Sequence, residues 1–163
     1  MRWFPYFILA YLAVGLQIGA AGYLGHGAKP DLILLAVIFI AIHAPRDAAL
    51  LGCFGLGIFS DLVSLNPLGV YAIAYSIVGM FVISTQELVY KAHPVTHFTL
   101  GLVSGLLSGT VLVIHGWIRG PRASVSELFA SALYTAILAP IVLGLLNLTK
   151  RAFSFQRRRR VRV

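Results

Sequence analysis

Few residues in this chain could do chemistry. Among its 163 residues are five acids (Asp31, Asp47, Asp61, Glu87 and Glu127), five histidines and one cysteine, Cys53. A lone cysteine in an apolar run allows neither a disulfide framework nor a thiolate metal cluster within one chain. A small buried packing residue is its expected role. His93 and His97 are spaced i, i+4, which can bring two imidazoles to one metal ion. No Cys or carboxylate accompanies them at ligand spacing, and His93 precedes Pro94 at a helix start. His26, His43 and His115 fall near the ends of apolar runs, where interfacial placement explains them. No Ser/His/Asp or Cys/His arrangement can be assembled, and no two carboxylates share a face. These residues predict no catalytic centre, no cofactor and no metal site, so the chain is not expected to be an enzyme.

The elements that must position these residues are written in the distribution of charge. Hydrophobic residues make up 59% of the chain and charged residues 11%, against about 25% charged in an ordinary soluble domain. Six stretches, 3–28, 32–45, 48–60, 62–86, 92–118 and 128–149, hold no Asp, Glu, Lys or Arg. A soluble chain of this size could not cover its apolar surface with so few charges, so an integral membrane protein is predicted. The runs lack the alternation of a transmembrane β-barrel, and the fold class is all-α.

A helix needs about 20 apolar residues to cross the hydrocarbon core. Trp3–Leu24, Pro67–Gln86, Pro94–Ile118 and Leu128–Thr149 meet this length. Leu32–Ala44 and Ala48–Ser60 are short and are separated only by Pro45-Arg46-Asp47. They read as two short or tilted spans, or as a re-entrant hairpin. Two spans are preferred, because a broken backbone in lipid needs protein cover. The expectation is a six-helix transmembrane bundle over residues 1–149, followed by a basic tail over 150–163. The polar pieces between spans are too short to fold alone, which excludes a soluble catalytic domain, a nucleotide-binding domain and a receptor head.

The net charge of +8 is lopsided. Seven of the 13 basic residues, Lys150, Arg151, Arg157, Arg158, Arg159, Arg160 and Arg162, lie in the last 14 residues. With six spans, Arg2, Arg46, Lys91 and the tail fall on one side, and Lys29, Arg119 and Arg122 on the other. That asymmetry predicts cytoplasmic termini at both ends of the chain. Trp3, Tyr6 and Tyr90 then mark the inner face, and Tyr23 and Trp117 the outer. The tail reads first as an anchor on anionic lipid, each basic residue gaining on the order of 1 kcal/mol there. Contact with an acidic cytoplasmic partner is the second reading. No nucleic-acid recognition module accompanies the arginines. Gly19-Ala20-Ala21 resembles a signal-peptide cleavage site, but the apolar run is long for a signal core and only Arg2 precedes it, so retention is expected. All five acids sit at or near predicted span ends, which argues against a proton-coupled transporter or an ion pump.

Small residues recur at helical spacing. Gly101-x-x-x-Gly105-x-x-x-Gly109 forms one strip, widened by Ser104 and Ser108, and Gly15-x-x-x-Gly19 forms another. Residues four apart share a helix face, and such strips let a neighbouring backbone approach closely. That neighbour is either another helix of this chain or the helix of a partner, a second copy included. Gly15, Gly19, Gly101, Ser104, Gly105, Ser108 and Gly109 are thus candidates for partner-helix packing. Gln17 is expected to hydrogen-bond across helices. Asn66-Pro67 reads as an N-cap with proline at the first helical position. Pro140 should free a carbonyl that a neighbour or Thr135 engages.

The linear order of motifs carries a resemblance. Pro30-Asp31-Leu32-Ile33-Leu34-Leu35 opens the second span, Gly52-x-x-Gly55-Leu56-Gly57-x-x-x-Asp61 follows, and Asn66-Pro67-Leu68-Gly69-Val70-Tyr71-Ala72 comes next. This order resembles the MreD family of bacterial rod shape-determining proteins, with Pro30, Asp31, Gly52, Gly55, Gly57, Asp61, Pro67 and Gly69 as the motif positions. The motif-bearing part covers roughly residues 30–80, and the rest agrees in pattern only.

The resemblance implies a non-catalytic scaffold of the elongasome in the bacterial inner membrane. It implies direct binding to MreC and, through MreC, a place in one assembly with MreB, RodA and a class B penicillin-binding protein. A fold similar to the substrate-binding subunits of energy-coupling-factor transporters is also implied. Those subunits dock through an Ala-x-x-x-Ala face on their first helix, where this chain has Ala10 and Val14. The alternative function is a small-solute binding subunit of a transporter, with a pocket near the outer face drawn from Asp61, Asn66, Tyr71 and Tyr75. The role of Asp61 stays open between capping a helix and touching a partner's loop.

Overall fold

The computed structural model describes residues 3–23, 30–64, 67–85, 94–119 and 125–148. They form six helices: α1 (Trp3–Tyr23), α2 (Leu32–His43), α3 (Arg46–Ser64), α4 (Val70–Ser84), α5 (Pro94–Arg119) and α6 (Val125–Leu148), with no strand among the described residues. The seven basic residues of the tail lie outside the described residues, as do His26, Lys29, Asn66, Glu87, Tyr90, Lys91, His93 and Arg122. Three helical segments are long and apolar enough to cross a membrane: Arg46–Ser64, Val95–Ile118 and Phe129–Leu146.

The architecture is organised around the shortest helix. Every residue of α2 from Leu32 to Ala41 is apolar, and Ile33–Ala41 are no more than 2% exposed. A helix that is apolar all round is buried either in a protein core or in lipid, and α2 is buried in protein. α2 accordingly stands at the centre and touches each of the other five helices, which surround it in the order α1, α3, α4, α5, α6. It is about 18 Å long, well short of the ~30 Å hydrocarbon core. The second run is therefore an unbroken helix sheathed in protein.

Glycines set the closest approaches between the surrounding helices. A Cβ on Gly57 would lie 2.3 Å from the Ala72 Cα, so α3 and α4 meet backbone to backbone. The Tyr6 ring lies on Gly52 and Gly55, and its hydroxyl donates to the Gly52 carbonyl at 2.9 Å. Gly79 of α4 makes room for the Cys53 Sγ, which is buried in the core. Gly101 and Gly105 of α5 face Ala139, Ala136 and Ala132 of α6. Close approach of this kind maximises dispersion contacts, the main attraction left to helices when lipid removes the hydrophobic drive. The outside of the bundle carries Tyr11, Leu16, Ile73, Met80, Val95 and Ile141, all exposed, a surface suited to acyl chains.

Candidate functional site: a polar knot at the start of α2

The first turn of any helix leaves backbone N–H groups without partners inside the helix. In a site without water each such group costs several kcal/mol. The start of α2 is partly buried in the bundle, and its donors are taken by Thr135 of α6, Gln17 of α1 and its own Asp31. The Asp31 amide donates to Thr135 Oγ1 of α6 at 2.9 Å, and Thr135 passes its own proton to the Ser131 carbonyl. The Leu32 amide donates to Gln17 Oε1 at 2.7 Å, while Gln17 Nε2 donates to the Pro30 carbonyl at 3.0 Å. Both ends of the Gln17 amide are thus used, as expected of a residue bonding across helices. The Leu34 amide donates to Asp31 Oδ1 at 2.9 Å, which makes Asp31 the N-cap of α2.

The Asp31 carboxylate does a second job. The Tyr75 hydroxyl of α4 donates to both of its oxygens, at 2.9 and 2.7 Å. Tyr75 is wholly buried and stacks edge-on with Tyr71, ring centroids 5.5 Å apart. One hydrogen-bonded cluster therefore joins α1, α2, α4 and α6.

One turn away, Asp61 does for α4 what Asp31 does for α2. It lies inside α3, only 1% exposed, and accepts from the amides of Gly69 (2.8 Å), Tyr71 (2.9 Å) and Ala72 (3.3 Å). Its negative charge faces the positive end of the α4 dipole. Gly57 sits one turn before Asp61 on the same face of α3, and its missing side chain lets α4 come within reach of the carboxylate. This corrects the reading of Asn66-Pro67 as the helix start. Pro67–Gly69 form a turn instead, Gly69 takes a φ of 109° at the N-cap, and the helix begins at Val70. The cap comes from another helix, eight residues back in sequence from Gly69, which no local pattern announces.

The other sequence candidates divide cleanly. Asp31, Gly57, Asp61 and Gly69 gather around the α2–α3–α4 junction, Pro30 leads into it and accepts from Gln17, Gly52 and Gly55 lie under the Tyr6 ring of α1, and exposed Pro67 belongs to the adjoining turn. Gly101 and Gly105 are occupied from within the chain by α6. Ser108 is buried and donates to the Gly105 carbonyl, and Ser104 is wholly buried with no hydrogen-bond partner for its hydroxyl. Gly109 is half-buried. Gly15 and Gly19 look out into open space, with no atom within 4 Å of a Cβ added to either. Thr135 engages Asp31 and Ser131, so the expectation that it takes the carbonyl freed by Pro140 is corrected.

What the arrangement can do chemically is limited. Both carboxylates are taken up by hydrogen bonds that hold helix ends in place. Among the described residues no group of three His, Cys, Asp or Glu could hold a metal ion. The polar groups considered for a solute pocket, Asp61, Tyr71 and Tyr75, do converge, but Asp61 and Tyr75 are spent on intrachain bonds.

No curated protein and no solved structure matches the chain. The family model of rod shape-determining protein MreD, however, matches residues 1–153, a range that takes in all six helices and both capping aspartates. With the match running over nearly its whole length, the chain belongs to the MreD family, whose role is rod-shape determination.

Proposed function

We propose that the chain is a multi-pass, non-catalytic scaffold of the bacterial inner membrane, with both termini cytoplasmic. It binds the membrane helix of MreC and so helps couple side-wall peptidoglycan synthesis to the MreB cytoskeleton. RodA and a class B penicillin-binding protein join the same assembly through MreC. The observation that carries this reading is how the polar and small residues are spent. Gln17, Asp31, Asp61, Tyr75 and Thr135 are consumed in holding helix ends, while Gly15 and Gly19 stay open on α1. An exposed small-residue face is where a foreign helix can seat closely. α1 packs on α2 and α3 at one flank of the surrounding helices, and Gly144 of α6, at the other flank, is equally open. The basic tail serves as a lipid anchor or a contact for a cytoplasmic partner.

Co-purification with MreC in detergent tests the face. Gly15→Leu together with Gly19→Leu should cut recovery of MreC several-fold while the thermal midpoint holds, because neither new side chain meets its own bundle. Unchanged recovery removes α1 from the interface.

A further inference from the structure

We propose that this chain thins the bilayer along α4, drawing the outer leaflet inward by about 10 Å between α5 and the α3–α4 turn. The inference rests on the multi-pass orientation proposed above. Hydrogen bonds from Asp31 to Thr135 and from Tyr75 to Asp31 set the middle of α6, the start of α2 and the middle of α4 at one level. Gly101 lies against Ala136 and Gly105 against Ala132, which brings the part of α5 around Val103 to that same level. From Tyr75 outward, α4 and its turn reach Leu68 after about 10 Å at 1.5 Å per residue. From Val103 outward, α5 carries no Asp, Glu, Lys or Arg as far as Trp117 and Ile118, about 21 Å away.

The α5 end carries the mark of a membrane boundary, whereas α4 stops at a turn. The α4 side ends on the turn at Gly69 and buried Asp61. The α5 side ends on exposed Trp117, the residue type that settles at headgroup level, followed by Arg119. Leaning α5 by about 40° would shorten its reach to about 16 Å, still beyond that of α4. α4 ends at Ser84 with Thr85 as its C-cap. The whole helix is therefore about 22 Å long, against a hydrocarbon core of ~30 Å. Unlike α2, it is not sheathed: Ile73, Ile77 and Met80 are exposed. A lipid-facing helix that is too short is matched by a thinner bilayer.

Two single-cysteine variants, Leu68→Cys and Ile114→Cys in a Cys53→Ala background, carry the test after reconstitution into phosphatidylcholine–phosphatidylglycerol vesicles. Both positions are exposed, at 72% and 54%, so labelling disturbs little packing. Nitroxide depth measurements should put the label at 68 among headgroups or water, and the label at 114 in hydrocarbon. Thermal midpoints should fall as the lipid is changed from myristoleoyl to erucoyl chains. A label at 68 buried in hydrocarbon overturns the proposal, and so does a label at 114 in water, which means a flat surface at the level of the turn. If an impermeant thiol reagent reaches position 68 only from the side of the tail, the orientation reading has failed, and this inference falls with it.

Discussion

Replacing Asp31 tests the polar knot at its centre. Asp31→Ala removes the N-cap of α2, worth about 1 kcal/mol. It also strands the buried Tyr75 hydroxyl, which donates to both carboxylate oxygens, at about 1–3 kcal/mol. Relief from burying a carboxylate offsets part of this, leaving a loss of about 2–3 kcal/mol. At about 2–4 °C per kcal/mol for a chain of this size, the detergent-solubilised protein should unfold roughly 4–12 °C lower. Asp31→Asn keeps an oxygen to accept from Leu34 and Tyr75, so it should lose less than half as much. Combining Asp31→Ala with Tyr75→Phe should cost less than the sum of the two, because the second change removes the group that the first strands. Tryptophan fluorescence melts on the unaltered protein, the three single variants and the double variant measure all of this. If Asp31→Ala melts with the unaltered protein, the knot does not hold the bundle. If Asn proves as damaging as Ala, the negative charge is needed for something other than its hydrogen bonds.

Three further outcomes follow from the packing. Gly57→Ala places a Cβ 2.3 Å from the Ala72 Cα; it should destabilise by about 1–3 kcal/mol through overpacking in the same melts, whereas Gly15→Ala, with open space around it, should be neutral or slightly stabilising. Asp61→Ala exposes three amides of the α4 start and should lower stability by at least as much as a lost N-cap, about 1–2 kcal/mol, with hydrogen exchange at Tyr71 and Ala72 rising first. Cys53, wholly buried between α2 and α4, should resist a small maleimide in the folded protein and react on unfolding; prompt labelling of the native protein would contradict its burial.

Much of this molecule is legible along the chain. Charge-free runs mark the helices, and observed ends agree with them to within a few residues at α1, α2, α5 and α6. That works because lipid admits few alternatives: a backbone that cannot bond to water must bond to itself. Asp31 as a helix opener, Gln17 as a bond between helices and a buried Cys53 are local or compositional properties, and residue type with spacing is enough to expect them.

Tertiary structure alone decided which apolar run became the centre, since α2 differs from its neighbours in burial more than in composition. It moved the start of α4 to Val70, because the capping carboxylate comes from α3 across a contact that only Gly57 permits. It set Asp31 level with the middle of α6, although Asp31 stands at the end of its own helix. It also assigned Gly101 and Gly105 to the interior and left Gly15 and Gly19 outside, two strips alike in sequence. The physical reason is common to all four. Periodicity along one helix says which residues share a face, but which helix that face meets, and at what height, depends on contacts between residues far apart in the chain.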